Sequence, residues 1–341
     1  MVIGARVVHF AACSESARRA RSVHCRRIQP DTGVGRLVKV EWRLIQGIDV
    51  HSHSPSPRAR ALPQPGQITL PTMTSKIFDI VCSLGYTPAG TTDFTFLIHA
   101  LHGMDQEVLT ESLVLTPDVR QHLYEDPLLH HRFLRVQAAA GPLQLHYRAR
   151  VQMTRPEPDQ NAVEHPVAEL PDEVLAHLMA TRYCESDLLG PAAIKMFGTL
   201  APGWQRVQAI CDWIHTHIDY RLGSSNTTTT ARDVFVARAG VCRDLAHLGV
   251  TFCRALNIPA RLVVGYAVFR DPPPDFHAIF EAYLGGRWQL FDATRMSPPQ
   301  ELVRIAVGRD AKDVAFATIF GQAVSDQLLP CVAPATASTG G

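Results

Sequence analysis

Cys242, His277 and Asp292 follow one another at intervals of 35 and 15 residues. Together they offer one kind of chemistry. A thiol that attacks an amide carbonyl needs a base to make it a thiolate and an acid to protonate the departing amine. Imidazole does both near neutral pH. A carboxylate beside the imidazole fixes its tautomer and stabilises the imidazolium. The expectation is therefore a nucleophile (Cys242), a general base and acid (His277) and an orienting group (Asp292).

The elements around these residues decide whether they can meet. Cys242 follows Ala239-Gly240-Val241 and opens a helix whose apolar stripe is Leu245, Leu248, Phe252 and Leu256. That helix should stop at Asn257, just ahead of Pro259. A thiol in a first helical turn feels the helix dipole and the unpaired N–H groups, which favour thiolate. The same N–H groups can hold an oxyanion. A cysteine in an apolar neighbourhood is otherwise a small core residue, and Cys253, deep in the same helix, fits that description. The strands expected at 260–269, 276–284 and 287–294 follow. Gly285-Gly286 is a strong two-residue turn signal. With Leu284 opposite Arg287, Ile279 faces Asp292, and His277 shares that face one diagonal away. An odd loop length would put the two on opposite faces. Taken alone, such a pair is more commonly an ordinary cross-strand polar contact on a solvated face.

The runs AGVCRDLAHLGVTFCRALNIPARLVVGY and FHAIFEAYLGGRWQLFDAT resemble the core of bacterial transglutaminase-like proteins. In that superfamily a helix-borne cysteine is followed by histidine and aspartate on adjacent strands, within a papain-like α+β fold. The stretch 77–153 resembles the N-terminal domain of a bacterial subfamily, as do RYCESDLL (182–189) and RIAVGRDAKDVAFATIFG (304–321). The matched positions are Cys242, His277 and Asp292, with Asp292-Ala293-Thr294 where many members carry Asp-Pro-Thr. The resemblance implies acyl transfer through a thioester, on a peptide or protein substrate. Water or a primary amine is the acceptor. A different class, a non-catalytic peptide-binding module of the same fold, stays open. Animal members use calcium, but no acidic loop here has calcium-site spacing, so neither a cofactor nor a metal is expected.

Other candidates weigh less. His215 and His217 project to two faces of one helix, which argues against a shared metal. His51, His53, His130 and His131 lack carboxylate or thiol partners at sensible spacing and are expected at the surface. Arg243 and Asp244 shape a pocket or pair with each other. Asn226 is a possible oxyanion donor, although loop asparagines more often make turns. Gly308-Arg309-Asp310 reads either as a cleft cover or as a plain hairpin. The second oxyanion donor has no sequence candidate beyond these.

The chain has 341 residues, 46% hydrophobic and 19% charged, enough to bury a core without staples. Residues 1–75 hold 11 Lys and Arg against four Asp and Glu, leaving a net −6 on the rest of a chain whose formal total is +1. The remainder is mildly acidic and gives no reason to expect nucleic-acid binding. Eight scattered cysteines without a C-x-x-C pair read as reducing-compartment thiols. No apolar run is long enough to span a bilayer. The opening MVIGARVVHFAAC is too short and interrupted for a secretory leader. The expected compartment is the cytoplasm.

The domain reading is α+β, a papain-like core preceded by a small sandwich-like all-β domain. Residues 1–75 are expected as a disordered, dispensable basic extension, with one possible strand at 37–45. The all-β domain covers 76–153, a linker 154–169, the catalytic domain 170–321 and a flexible tail 322–341. Helices are expected at Leu170–Cys184, Leu188–Phe197 and 204–218.

Overall fold

The computed structural model describes residues 73–268 and 275–335 in full, and 6–8 as a backbone strand. In chain order the first strands are β1 (Arg6–Val8), β2 (Met73–Pro88), β3 (Thr92–Leu97), β4 (Gln106–Thr116), β5 (Gln121–Glu125), β6 (Arg132–Ala138) and β7 (Leu143–Pro156). Helices α1 (Ser186–Phe197) and α2 (Trp204–His217) follow. Next come β8 (Asp219–Tyr220), α3 (Ala231–Ala237), β9 (Ala239–Gly240) and α4 (Cys242–Ala255). The chain ends with β10 (Ala260–Tyr266), β11 (Phe276–Leu284), β12 (Arg287–Phe291), β13 (Val303–Gly308), β14 (Ala317–Phe320) and β15 (Ala323–Pro334).

Alternation builds the sandwich. β2 buries Phe78, Ile80, Cys82, Leu84 and Tyr86, and β7 answers with Leu143, Leu145, Tyr147, Ala149 and Val151. The two strands are antiparallel neighbours in the sheet β15-β2-β7-β4. The facing sheet is β1-β14-β3-β6-β5. Tyr86 of the first sheet packs its ring 5.4 Å from Phe94 and 5.5 Å from Phe96 of the second. β2 and β7 therefore each have one dry face, as a sandwich requires.

Helical spacing builds the second half around α4, whose residues from Cys242 to Arg254 are all buried. It lies on the sheet β12-β11-β10-β13. The approach is close because position 249 is glycine. A Cβ there would come within 2.5 Å of the Phe280 ring. On its other sides α4 meets the ring of Phe197 from α1, Trp213 from α2 and Phe235 from α3, all packed on Phe252.

Several expectations need correction. Leu170–Cys184 is not a helix but contains the 3-10 turn Asp172–Leu178, just after another at Val167–Glu169. Prolines 166 and 171 restart the chain, and Val174 alone is buried within the longer turn. Without an apolar face to dock, a short helix gains too little. Helix α3 was not expected. Its signal was Thr230-x-x-Asp233, where each side chain accepts the other's backbone N–H, at 3.3 and 3.0 Å.

The domain boundaries shift too. β14 lies in the sandwich beside β3, and residues 322–341, expected to be flexible, supply β15 along the edge of β2. Pro330 and Pro334 disguise that strand, but an edge strand tolerates proline. The basic extension contributes β1, paired with β14, and Met73–Ser75 belong to β2. The possible strand at 37–45 lies outside the described residues.

Sandwich and core are one packed body. A single apolar cluster includes Phe78, Tyr147, Phe252 and Phe316. Gln106 of β4 donates from Nε2 to the carbonyls of Leu101 and Arg304, each at 2.9 Å. Removing residues 322–341 should therefore destabilise the whole protein, since it strips β2 of its partner and takes Leu328 and Val332 away from the apolar cluster they pack on. We expect Tm to fall by more than about 4 °C in scanning fluorimetry. An unchanged Tm would show that β15 adds no stability.

Candidate active site

Cys242 is the first residue of α4, and a set of local contacts puts it there. Val241 is extended, with φ −111° and ψ −179°, and its N–H donates to Asp244 Oδ2 at 2.9 Å. That carboxylate at the third helical position also complements the helix dipole. Gly240 packs so tightly on Asp244 that an added Cβ would lie 2.8 Å from the Asp244 Cβ. Before this turn, β9 pairs in parallel with β8, setting Tyr220 beside Gly240.

Arg243 and Asp244 turn out to pair, and they also brace the site. The guanidinium, fully buried, donates from Nε to Asp244 Oδ1 at 2.9 Å and from Nη2 to the Asn226 carbonyl at 2.9 Å. Asn226 makes a turn, its Oδ1 accepting from the N–H and hydroxyl of Thr228 at 2.8 Å each.

The hairpin has the expected register. Gly285 and Gly286 both take left-handed φ, +59° and +77°, and Leu284 pairs with Arg287. Phe280 faces Phe291, after which the ladder ends. Along β11, His277, Ile279 and Glu281 share one face by alternation. Asp292 continues onto that face. Its Oδ2 lies 2.9 Å from His277 Nε2, while Oδ1 accepts from the Thr294 N–H at 2.8 Å and its hydroxyl at 2.7 Å. Alanine at 293 thus leaves the carboxylate anchored.

The thiol completes the group. Cys242 Sγ lies 4.0 Å from the Phe276 carbonyl oxygen and stands beside the His277 ring. Asp292 already holds Nε2, so Nδ1 is the nitrogen presented to sulfur. The imidazole and carboxylate side chains are 1% and 2% exposed. Burial opposes the imidazolium, but the Asp292 charge, the bond to Asp292 and the adjacent Cys242 outweigh it and raise His277 to about 10. For Asp292, burial opposes ionisation, yet His277 and Thr294 hold the carboxyl below its ordinary range.

Two neighbours had no clear sequence signal. Tyr220 lies close to Cys242, and burial followed by the nearby Cys242 and Asp275 raises its pKa. Asp275, whose Oδ1 accepts from the Phe276 N–H at 2.7 Å, is pushed up to about 6, chiefly by burial. Tyr220 was hidden because only the β8–β9 pairing brings it to a thiol 22 residues later in the chain.

The remaining candidates separate from the site. His217 bonds the Trp213 carbonyl from Nδ1 at 2.8 Å, and His130 pairs with Glu125 at 3.4 Å. His131, expected at the surface, is buried, with Nε2 2.7 Å from the Val307 carbonyl; the partner is on β13 and invisible to local spacing. His51 and His53 lie outside the described residues. Asp310 closes a plain turn, accepting from Lys312 N–H at 2.9 Å, and also from Tyr183 N–H at 3.2 Å. Among the described residues no group of three His, Cys, Asp or Glu could hold a metal, and no helix is long and apolar enough to cross a membrane.

Comparison with known proteins places this geometry in a family. The profile of the transglutaminase-like superfamily core matches residues 193–293, and that of the bacterial transglutaminase N-terminal domain matches 76–173. A solved structure from Cytophaga hutchinsonii, provisionally assigned as a cysteine protease, is 40% identical, with a TM-score of 0.75. The likeness covers 80% of this chain and 95% of that one. An uncharacterised protein of Mycobacterium leprae is 30% identical over 116 residues, 32% of this chain and 42% of its own length. An uncharacterised protein of Mycobacterium tuberculosis is 43% identical over 61 residues, 18% of this chain and 19% of its own. The chain thus spans less than half the length of these curated relatives.

The pair carries a definite pH signature. His277 is raised, so its contribution to stability is complete below the usual 6.5 and is lost as pH climbs through about 10. Asp292 is lowered, so its contribution is present above the usual 3.8 and is lost as pH falls through the depressed value. In Asp292→Asn the His277 titration midpoint, followed by NMR of the ring protons, should fall by roughly two pH units. A midpoint unmoved by that substitution would mean that Asp292 does not stabilise the imidazolium.

Proposed function

We propose, given that this chain belongs to the transglutaminase-like superfamily, that it is a thiol enzyme acting on amide bonds through Cys242, His277 and Asp292. The family and the cysteine-protease assignment of the 40%-identical relative support thiol-dependent amide chemistry in general. The finer reading rests on one observation, the convergence of a helix-N-terminal thiol, an imidazole and a carboxylate that are distant in sequence.

The geometry supports the following steps. His277 and Cys242 form a thiolate–imidazolium pair, stabilised from the far side by Asp292. The sulfur attacks the carbonyl carbon of a glutamine side chain or peptide bond. The tetrahedral oxyanion is met by the Cys242 N–H at the start of α4, with the Tyr220 hydroxyl as second donor. Collapse breaks the C–N bond, and His277 gives its proton to the departing ammonia or amine. The thioester is then attacked by water or a primary amine, which passes its proton back to His277 and releases the thiol. Each preorganised oxyanion donor contributes up to about a hundredfold or more in rate. Next to Asp292 a cavity of about 640 Å³ is walled by Trp204, Val268, Phe291 and Met296, apolar surroundings suited to the flanks of a peptide.

Incubation with a glutamine-peptide library, with and without a primary amine, distinguishes the acceptors. Ammonia release with amine incorporation identifies transfer, and new peptide N-termini identify proteolysis. Cys242→Ala should abolish whichever activity the wild type shows, and Tyr220→Phe should lower kcat at least about tenfold. Wild-type turnover by Cys242→Ala would defeat the proposal.

Thiol labelling tests the nucleophile without a substrate. Burial pushes the Cys82 and Cys184 thiols up to about 12 and raises Cys211 and Cys253 strongly as well. Low-dose iodoacetamide should alkylate Cys242 well before these four, and His277→Ala should slow that reaction. Equal labelling of all five would remove the case for an activated cysteine.

A further inference from the structure

The sheet face that carries His277 also carries a network of buried charge, and one member of it has two buried N–H-bearing nitrogens with no acceptor among the described residues. Glu281 is fully buried and accepts from Arg261 Nε at 2.7 Å, with Arg304 Nη2 on its other oxygen. Burial works against its ionisation, but the two guanidiniums bring it down to about 2. Arg304 Nη1 also lies 3.7 Å from Asp105. A third guanidinium, Arg155 at the end of β7, reaches the same region and is 2% exposed.

Arg155 donates from Nη1 to the Gln300 carbonyl at 3.1 Å, whereas its buried Nε and Nη2 have no acceptor among the described residues. It lines a cavity of about 20 Å³, together with Asp105, Arg287 and Arg304. That volume suits a single centre of roughly water size. The charges favour an anion over water. Arg155, Arg261, Arg287 and Arg304 face Glu281, Asp105 and Glu157, which leaves one positive charge over, and a guanidinium does not give up its proton in proteins. Burial, reinforced by Arg304, pulls Arg155 down to about 9, and its attraction to Glu281 and Asp105 does not offset this. An uncompensated buried cation is among the costliest features a fold can carry.

We propose that this cavity binds one small monovalent anion of chloride size, held by Nε and Nη2 of Arg155 with Arg304 and Arg287 at its walls. The site joins β7 of the sandwich to β12 and β13 of the core, so the anion clamps the two together. It stands apart from the Cys242 chemistry and does not depend on it.

Two measurements on the full-length protein decide the matter. Tm in sodium chloride should exceed Tm in sodium gluconate of equal ionic strength by about 2–4 °C, because gluconate is too large for the cavity. Crystals soaked in sodium bromide should show an anomalous peak within hydrogen-bond distance of Arg155 Nε and Nη2. Arg155→Met, which keeps the bulk and removes the charge, should abolish both effects. Equal Tm in the two salts with no bromide peak means that water alone fills the cavity, and overturns the proposal. A chloride effect that persists in Arg155→Met overturns it as well. If that variant fails to fold, the bromide peak in the wild type decides alone.

Discussion

An imidazole and a carboxylate at 1% and 2% exposure are tolerable in this interior because they face each other across 2.9 Å. Removing one partner of such a pair leaves a buried charge uncompensated, at a cost of roughly 3–5 kcal/mol. Whole proteins are stable by only about 5–15 kcal/mol. The same pairing recurs at other buried charges. Arg243 is matched by Asp244, Glu281 by Arg261 and Arg304, and Arg132 by Glu111. The groups that would do chemistry are therefore also groups the fold cannot lose cheaply, and their positions are set to within a hydrogen bond.

Closeness of backbone is the second condition. Gly249 lets β11 lie against α4, and Gly240 lets the chain turn into α4 over the Asp244 side chain. Together they fix where the first turn of α4 stands relative to the start of β11, and so where sulfur meets imidazole. Larger residues at either position would move the helix rather than merely crowd it. The position of the Cys242 thiol is in this sense a packing result before it is an electrostatic one.

What the sequence revealed and what it concealed divide along physical lines. The Cys242 helix and the β11–β12 register rest on local rules, a 3.6-residue stripe and a two-glycine turn, and both could be read directly. From the register came the shared face of His277 and Asp292. The Tyr220 contact, the burial of His131 and the β2–β15 pairing arise from partners distant in sequence, and spacing carries no trace of them. β15 was further masked by two prolines that an edge position tolerates. The supposed helix at Leu170–Cys184 failed for the opposite reason: its local pattern was plausible, but no surface was available to bury it.

The sandwich has a consequence for how the chain must fold. The α4, β10, β11 and β12 segments are consecutive and can form contacts as they appear. β2 pairs with β15 and β3 with β14, more than 200 residues apart in sequence. Loop closure over such distances costs entropy before any contact repays it. The local core is thus the natural nucleus, and the sandwich closes only when the last strands arrive. Arg155 and Arg304 meet at that late junction, one from each region. A charge left over there weighs on the final docking step rather than on the core, which leaves the two regions most easily separated where the chain has least local structure to hold them.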